Sequence, residues 1–306
     1  MLLQFFIKES GEQKNETGVM EKHAYLIIAH TDWSLLKTLV SLLDYELNDI
    51  YIHIDAKVPA KSIPHITCSR SKIYYLERRI SVAWGDISVV EAEYLLFETA
   101  YNNRHYSYYH LLSGMDLPLK PKEHIYTSFM QNGSKNFIGF CPYNDTLSDI
   151  RVRTYHFFVS KMRDNRFYRL LDRIIAKCLV VFGCLRNKEI YFRKGSTWVS
   201  VTNDFVRYML ANKTMVLELY KHTFGADEFF IQTLCWNSRF RNSVYDLNDE
   251  YNGCQRLIDW ERGWPYTWQE KDYNELIASE YLFARKFSSE NAELINRLTT
   301  FLNTQN

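Results

Sequence analysis

Short apolar runs and amphipathic segments alternate through the first 120 residues. The run HAYLIIAH (23–30) is almost uniformly apolar, which is typical of a buried parallel strand. The segment DWSLLKTLVSLLDYEL (32–47) has helical periodicity, with Asp32 as the predicted N-cap. NDIYIHIDAK (48–57) predicts a second strand that ends in polar residues at Asp55. Strand, helix and strand in this order predict a βαβ unit.

The same alternation continues to residue 120. KIYYLE (72–77) predicts a third strand and SVVEAEYLLFETAYNN (88–103) a second helix. YSYYHLLSGMDLPLK (106–120) predicts a strand followed by a tight loop at Ser113–Pro118. This order predicts a doubly wound, Rossmann-like α/β sheet, in which ligands bind at the carboxyl ends of the strands. The sequence contains no GxGxxG and no P-loop, so neither a dinucleotide fingerprint nor a kinase fits.

The segment 151–194 differs from the rest in charge. It holds 12 Lys and Arg against 3 Asp and Glu, a net charge of +9 in a chain whose total is +1. Apolar residues recur at helical spacing from Phe167 to Phe182, flanked by Arg166, Arg169, Arg173 and Lys177. Two interpretations stay open for a helix within residues 160–184. It packs on the core with a solvated basic side, or it contacts an anionic membrane or a phosphate-bearing acceptor.

Two adjacent acids precede an apolar run in FGADEFFIQTLCW (224–236). Capping of the following helix explains Asp227, because acids are favoured at helix N-termini. Capping does not explain Glu228, which adjoins the face that the helix buries. Upstream, GSTWVSVTNDFVRYML (195–210) predicts a turn, a strand and a helix that begins near Thr202.

Composition narrows the function classes only slightly. The net charge of +1 gives no reason to expect a nucleic-acid partner. The six cysteines lack metal-binding spacing, and we expect free thiols in a reducing compartment. Residues 1–19 form a polar tail that we expect to be disordered, and residues 20–306 are expected to form a single domain.

Seven short motifs then occur in a characteristic order: HIDAK, WGDISVVEAE, YYHLLSGMDLPLK, GSTWVSVT, ADEFFIQT, RLIDW and LFARKF. From about residue 23 to 288 this series resembles glycosyltransferase family 14. That family contains core-2 and I-branching β-1,6-N-acetylglucosaminyltransferases, peptide O-xylosyltransferases and bacterial enzymes. The resemblance implies a GT-A type fold, a UDP-sugar donor, a glycan acceptor, inversion at the anomeric carbon and no divalent metal. Without an anchor segment the chain resembles a bacterial-type, cytoplasmic member, with peripheral contact at the inner face of the membrane as the open alternative.

The resemblance also implies roles for individual residues. Glu228 corresponds to the general base, and Lys286 with Arg256 to the cations that meet the UDP diphosphate. The remaining donor contacts implied are Asp55 at the uridine, Trp84 near the nucleotide, and Ser113 and Asp116 in the loop that lines the donor pocket. The acceptor contacts implied are Asp227, Arg151, Arg153 and Trp198.

The chemistry of inverting transfer leads to similar residues. It requires a base for the acceptor hydroxyl, stabilisation of the departing diphosphate and alignment of the two sugars. Metal-dependent enzymes often hold the metal on a D-x-D triplet, which this sequence lacks. Arg285 and Lys286, at the end of a predicted helix, can replace a metal because both side chains bind phosphate oxygens. Partial desolvation at the mouth of an apolar site would raise the proton affinity of Glu228, as suits a base.

Several alternatives remain at this point. N-acetylglucosaminyl transfer in β-1,6 linkage is favoured, but the motifs do not separate it from xylosyl transfer. A glycan-binding protein that has lost catalysis is a second class, against which the intact Glu228, Arg256 and Lys286 argue. A glycoside hydrolase with a carboxylate pair is a third, and the α/β order and the basic C-terminal motif argue against it. The acceptor cannot be read from the sequence.

Overall fold

The computed structural model describes residues 21–142 and 146–305, and side chains in all of these except 146–149. The polar tail expected at residues 1–19 lies outside the described residues. The described strands are, in chain order, β1 (His23–Ala29), β2 (Asn48–Ile54), β3 (Lys72–Tyr75), β4 (Tyr108–Ser113), β5 (Asp116–Pro118), β6 (Ser200–Thr202), β7 (Arg256–Ile258) and β8 (Phe283–Arg285).

Twelve α-helices lie within the described residues. They are α1 (Trp33–Leu42), α2 (Ile87–Asn103), α3 (Lys122–Gln131), α4 (Thr146–Arg153), α5 (Val159–Met162), α6 (Arg166–Val181), α7 (Asn203–Ala211), α8 (Lys213–Tyr220), α9 (Phe230–Trp236), α10 (Glu250–Cys254), α11 (Tyr273–Ala278) and α12 (Ala292–Thr304). Asp32 caps α1 as predicted, since its carboxylate accepts a hydrogen bond from the Leu35 amide at 3.2 Å. The helix ends five residues earlier than the apolar pattern suggests.

The strands form two sheets. The main sheet has the order β3-β2-β1-β4-β6, in which β3, β2, β1 and β4 are parallel and β6 is antiparallel to β4. The smaller sheet has the order β5-β8-β7. Because β1, β2, β3 and β4 are parallel, the segments that follow them lie along one edge of the main sheet, where ligands bind in folds of this kind.

Both faces of the main sheet are buried. Alternate residues of β1 belong to two separate hydrophobic clusters, with Ala24 and Leu26 in one and Tyr25 and Ile27 in the other. The first cluster includes α2, α7 and α9, and the second includes α1, α12 and the smaller sheet. Coverage on both sides explains the uninterrupted apolar run of β1. The predicted single-domain α/β fold, with a mostly parallel sheet and flanking helices, is confirmed.

Two local predictions are wrong. The tight loop expected at Ser113–Pro118 contains strand β5. The ARKF motif (284–287) begins inside strand β8 and does not end a helix. Strands of three residues are too short to show a period of two, and pairing with neighbours distant in sequence defines them.

The helix predicted in the basic segment exists as α6, but most of its apolar residues do not face the core. Asp172 and Ala176 are the fully buried residues of this helix. Separately, no helix among residues 21–142 and 146–305 combines the length and the apolar character needed to cross a bilayer.

Candidate active site

Asp55 lies at the carboxyl edge of the main sheet, immediately after β2. Its backbone amide donates to the Ala29 carbonyl at 3.0 Å, which holds the end of β2 against the end of β1. Its carboxylate accepts from the Lys57 amide at 2.8 Å and lies 3.5 Å from the Lys57 ammonium. Asp55 is buried while Lys57 is exposed, and the Lys57 ammonium also donates to the Val82 carbonyl, so this pair places one acceptor and one cation at the predicted nucleotide end.

Three cations surround His30, the residue that follows β1. Partial burial lowers the pKa of His30, and the charges of Arg163, Lys57 and Lys286 lower it further, while Asp55 opposes them. The charges of Lys286 and Asp55 thus both act on His30, while the contact of Lys286 with a diphosphate stays a prediction. Sequence reasoning missed Lys57 and Arg163 as companions of Lys286.

Asp116 and Ser113 form the floor of this edge. The Ser113 amide donates to Asp116 at 2.9 Å. Burial raises the pKa of Asp116, while the nearby Arg285 and this hydrogen bond act in the opposite direction. The Arg285 guanidinium lies 3.6 Å from Asp116 and stacks over the Trp198 ring at 4.3 Å. Arg285 thus links the donor-side Asp116 to Trp198, which was predicted on the acceptor side.

Arg256 does not fit its predicted role. Its side chain is buried, and its guanidinium donates to the Val199 carbonyl at 3.0 Å and to the Ser200 hydroxyl at 2.9 Å, and also to the Cys254 carbonyl. A guanidinium committed to groups in the core is not available to a diphosphate. The structure assigns Arg256 to holding β7 against β6, and the cations whose charges act at His30 are the exposed Lys57 and Arg163 and the half-buried Lys286.

A junction of two loops carries Trp84 and connects it to the acidic pair. The Gly225 amide donates to the Gly85 carbonyl at 2.7 Å, and the Trp84 ring packs edge-on against Phe224 with centroids 5.3 Å apart. Gly85 has φ of 72°, and a Cβ there would come within 2.6 Å of the Phe224 ring. Only glycine fits this close approach. Trp84 is 59% exposed, so its outer face is free to stack on a ligand.

Glu228 stands at the solvent edge of this junction as a paired carboxylate. Its Oε2 accepts from the Arg151 guanidinium at 3.0 Å and lies 3.7 Å from the Lys194 ammonium. The side chain is 35% exposed. Arg151 also lies over the Phe229 ring at 4.9 Å, which fixes the direction of the guanidinium. The sequence predicted that partial desolvation characterises Glu228. In the structure, its main feature is instead that two cations hold the carboxylate in place.

Asp227 is the acid that burial affects, and it does not cap a helix. A 3₁₀ turn at Ala226–Glu228 separates it from α9, and neither element has a side-chain cap. Its carboxylate accepts from the Thr197 hydroxyl at 3.0 Å. Burial, and next the charge of Glu228, raise the pKa of Asp227 to about 6. The predicted capping role of Asp227 is therefore wrong. The acid that desolvation affects is Asp227, whereas the sequence predicted desolvation at Glu228.

Glu93, on α2, lies behind this pair. Its side chain is fully buried, and burial together with the charge of Asp227 raises its pKa well above the ordinary value. Asp227 is only half-buried, but its charge disfavours the charged form of the fully buried Glu93, since like charges in a desolvated site are unfavourable.

Lys194 connects Glu228 to a third acid that the sequence did not reveal. Cys141 donates its thiol to Glu250 at 3.0 Å, and burial raises the pKa of Glu250 while the charge of Lys194 lowers it. Lys194 belongs to none of the seven sequence motifs. Its position becomes apparent only when α10 and the 193–197 segment are brought together.

Arg153 is used differently from Arg151. Its guanidinium donates to the carbonyls of Asn187 at 2.8 Å and Ile190 at 3.3 Å, and it lies over the Phe192 ring. These contacts fix a loop of the basic segment. They do not bring Arg153 to Glu228, so of the two predicted arginines only Arg151 is placed at the acidic pair.

The described part of the chain contains no group of three or more His, Cys, Asp and Glu side chains that could hold a metal ion. Lysine and arginine side chains, in contrast, are present on both sides of the site: Lys57, Arg163 and Lys286 at the sheet edge, and Arg151 and Lys194 at Glu228.

Comparisons with solved structures give remote similarities. Mouse xyloside xylosyltransferase 1 in its apo form is 9% identical, with a TM-score of 0.34, over 87% of this chain and 97% of that one. The Staphylococcus aureus protein TarS, residues 1–349, is 12% identical, with a TM-score of 0.26, over 44% of this chain and 41% of that one. The match thus spans less than half of the TarS chain. No curated protein matches the chain.

A family match covers most of the chain. The sequence model of the Core-2/I-Branching enzyme family matches residues 23–284, which contain the sheet edge, the loop junction and the acidic pair described above. The chain therefore belongs to the Core-2/I-Branching enzyme family.

Proposed function

We propose that the protein is an inverting glycosyltransferase that needs no divalent metal. It transfers a sugar, with N-acetylglucosamine in β-1,6 linkage favoured, from a UDP-sugar to a glycan acceptor. The observation that carries the proposal is the position of Glu228. Its ion-paired carboxylate stands on a loop that is hydrogen-bonded to the Trp84–Gly85 loop.

The donor side of the proposal rests on the cations around His30. The diphosphate of a UDP-sugar gains negative charge as the glycosidic bond breaks, and fixed cations stabilise that charge without a metal. Lys286 is the principal candidate, with Lys57 and Arg163 beside it. Asp55 accepts hydrogen bonds at the nucleoside end, and the exposed face of Trp84 supplies a stacking surface.

Glu228 acts as the general base. Both of the contacts described above are made to one oxygen, Oε2. The other oxygen, Oε1, takes the proton of the acceptor hydroxyl as that hydroxyl attacks the anomeric carbon. Arg151 and Lys194 hold the carboxylate in one orientation, which lowers the entropic part of the barrier.

Asp227 orients an acceptor hydroxyl or the side chains around it. With a pKa of about 6 it changes protonation near neutral pH, and Thr197 fixes its direction. Arg285 lies near both Asp116 and Asp227, so it couples the donor and acceptor sides of the site.

The direct test is the release of UDP by the full chain from a panel of UDP-sugars. A transferase hydrolyses one donor slowly in the absence of acceptor and faster when a suitable glycan is added. A glycan-binding protein releases no UDP from any donor, and a glycosidase cleaves glycosides without a nucleotide. Either of the last two results contradicts the proposal.

A further inference from the structure

Helix α6 presents two parallel rows of side chains to solvent. The first row is apolar and occurs at spacings of three and four residues, so it forms one continuous stripe. It consists of Phe167, Leu170, Ile174, Cys178 and Val181. Four of these side chains are large and strongly exposed, at 66% for Phe167, 59% for Leu170, 49% for Ile174 and 79% for Val181. No described part of the chain packs on this stripe.

The second row is basic and lies along one flank of the apolar stripe. It consists of Arg166, Arg169, Arg173 and Lys177. Arg169 is used within the protein, since it donates to the carbonyls of Met162 and Arg163. Arg166, Arg173 and Lys177 are exposed. An exposed apolar stripe with a cationic flank is the arrangement of helices that lie in the headgroup region of an anionic bilayer.

The opposite face fixes α6 to the body of the protein. Asp172 is buried and accepts from His156 at 2.6 Å, and Ala176 is buried beside it. His156 in turn lies near Phe224, with ring centroids 6.4 Å apart, in the loop that leads to Glu228. The exposed stripe is therefore not an undocked core face. The helix already buries its own internal side, and the exposed apolar residues form a second, external side.

Charge distinguishes an anionic surface from other apolar partners. The segment 151–194 carries a net charge of +9, so the rest of the chain carries −8. A negatively charged surface attracts this segment and repels the remainder, which gives the molecule one preferred orientation. A second copy of the chain would place equal basic rows opposite each other, which is unfavourable.

We propose that α6 binds the surface of an anionic lipid bilayer, with the apolar stripe inserted at the headgroup level and Arg166, Arg173 and Lys177 at lipid phosphates. The inference is independent of the reaction that the protein catalyses. It concerns the position of the proposed active site relative to a membrane, because α6 is connected to the Glu228 loop through His156.

The test is co-sedimentation of the full chain with lipid vesicles. We expect binding to phosphatidylcholine vesicles that contain about 30% phosphatidylglycerol, weaker binding to phosphatidylcholine alone, and loss of binding between about 0.05 M and 0.5 M salt. Leu170→Ser with Ile174→Ser should lower the partition coefficient about tenfold or more, because two apolar side chains no longer insert. Arg173→Gln with Lys177→Gln should lower it by about fivefold for each cation removed.

The control is Lys37→Gln with Lys61→Gln, which removes two exposed cations outside α6 and should bind like the parent. All three double variants alter exposed side chains, so thermal unfolding should stay close to that of the parent. Absence of binding at low salt overturns the proposal. So does binding that survives both α6 variants, which would assign the contact to another part of the chain. A dimer in analytical ultracentrifugation that the apolar variant dissociates, without vesicle binding, would assign the stripe to a second copy.

Discussion

At the scale of single residues, the two neighbouring acids are separated by their environments. Glu228 is partly exposed and held by Arg151 and Lys194, whereas Asp227 is desolvated and has a pKa of about 6. The two acids are consecutive in a 3₁₀ turn but contact different parts of the chain, Asp227 the Thr197 hydroxyl and Glu228 the two cations. This division suits a base beside an orienting group.

The raised pKa of Asp227 predicts a pH-dependent effect on stability. Folding favours the protonated form, so the stabilisation is fully present below pH 4 and is lost as the pH rises through about 6. Asp227→Asn, which is neutral at every pH and can still accept from Thr197, should therefore exceed the parent in stability at pH 8 by about 1–3 kcal/mol. The difference should shrink towards pH 5. Urea unfolding at a series of pH values measures this, and a variant less stable than the parent at pH 8 would show that the carboxylate is stabilised by contacts we have not assigned.

Lys286 and Arg256 should behave in opposite ways when they are replaced. Lys286→Ala should weaken UDP binding about tenfold to a hundredfold, because a charge-assisted phosphate contact is lost. Arg256→Met should leave the UDP affinity of the folded protein unchanged and lower the free energy of unfolding by roughly 2–4 kcal/mol, since buried acceptors at Val199 and Ser200 lose their donor.

Titration calorimetry with UDP and urea unfolding of the same preparations measure both effects. Lys37→Ala, a substitution of an exposed lysine on α1, is the control. Weak UDP binding by a fully stable Arg256→Met variant would indicate that Arg256 contacts the diphosphate, as the sequence predicted.

At the scale of elements, the junction between the Trp84–Gly85 loop and the Phe224–Gly225 loop positions the base. Gly85 and Gly133 both have positive φ, at 72° and 57°. A Cβ at Gly85 meets the Phe224 ring at 2.6 Å, whereas a Cβ at Gly133 has no neighbour within 4 Å. The two glycines therefore form a matched pair that separates backbone strain from steric displacement.

We expect Gly133→Ala to lose about 1–2 kcal/mol from the left-handed backbone conformation, and Gly85→Ala to lose at least as much, because the clash with Phe224 adds to that strain. Only Gly85→Ala should also lose turnover, by about tenfold or more, because displacement of Phe224 moves the loop that carries Glu228. Rates of UDP release, corrected for the folded fraction, provide the measurement. Equal turnover in the two variants would mean that the junction does not position the base.

The elements that could be predicted from the sequence are those with enough length to show a period. β1, β2 and α2 lie where the alternation of apolar and polar residues places them, and α6 was found from its helical spacing. β5 and β8 were missed because three residues show no period. The sequence could not predict which face of α6 packs on the core, since apolar residues occupy both sides of the helix.

The same distinction applies to the site. Glu228, Asp55 and Lys286 were predicted because short motifs surround them. Lys194 and Arg163 were missed as partners, because their roles arise from contacts between segments far apart in the chain. Arg256 was placed at the diphosphate because a motif gives a residue's place in sequence and not its burial.

At the scale of the whole molecule, the proposed mechanism stabilises the departing diphosphate with cations instead of a metal. The sequence lacks a D-x-D triplet, and five lysines and arginines lie at the two sides of the site. We predict that excess EDTA leaves the initial rate of UDP release nearly unchanged. A rate that collapses in EDTA and returns with manganese would contradict this arrangement.

The unequal distribution of charge connects this chemistry to the surroundings of the protein. The +9 segment contains Arg151 and Lys194 at Glu228, Arg163 at the sheet edge and the external rows of α6. One stretch of chain thus supplies cations both to the site and to the proposed lipid-facing surface. Raised ionic strength should weaken the external contact more than the internal pairs, because partly buried charges are screened less.

The identity of the general base is the central claim, and Glu228→Gln tests it most directly. Glutamine keeps the size and the hydrogen bonding of the side chain but cannot take the proton, so turnover should fall by about 10²–10⁴. UDP affinity should stay within a few-fold of the parent, because the proposal places Glu228 at the acceptor and not at the diphosphate. Turnover by Glu228→Gln equal to that of the parent, or loss of turnover in Asp227→Asn alone, would place the base elsewhere.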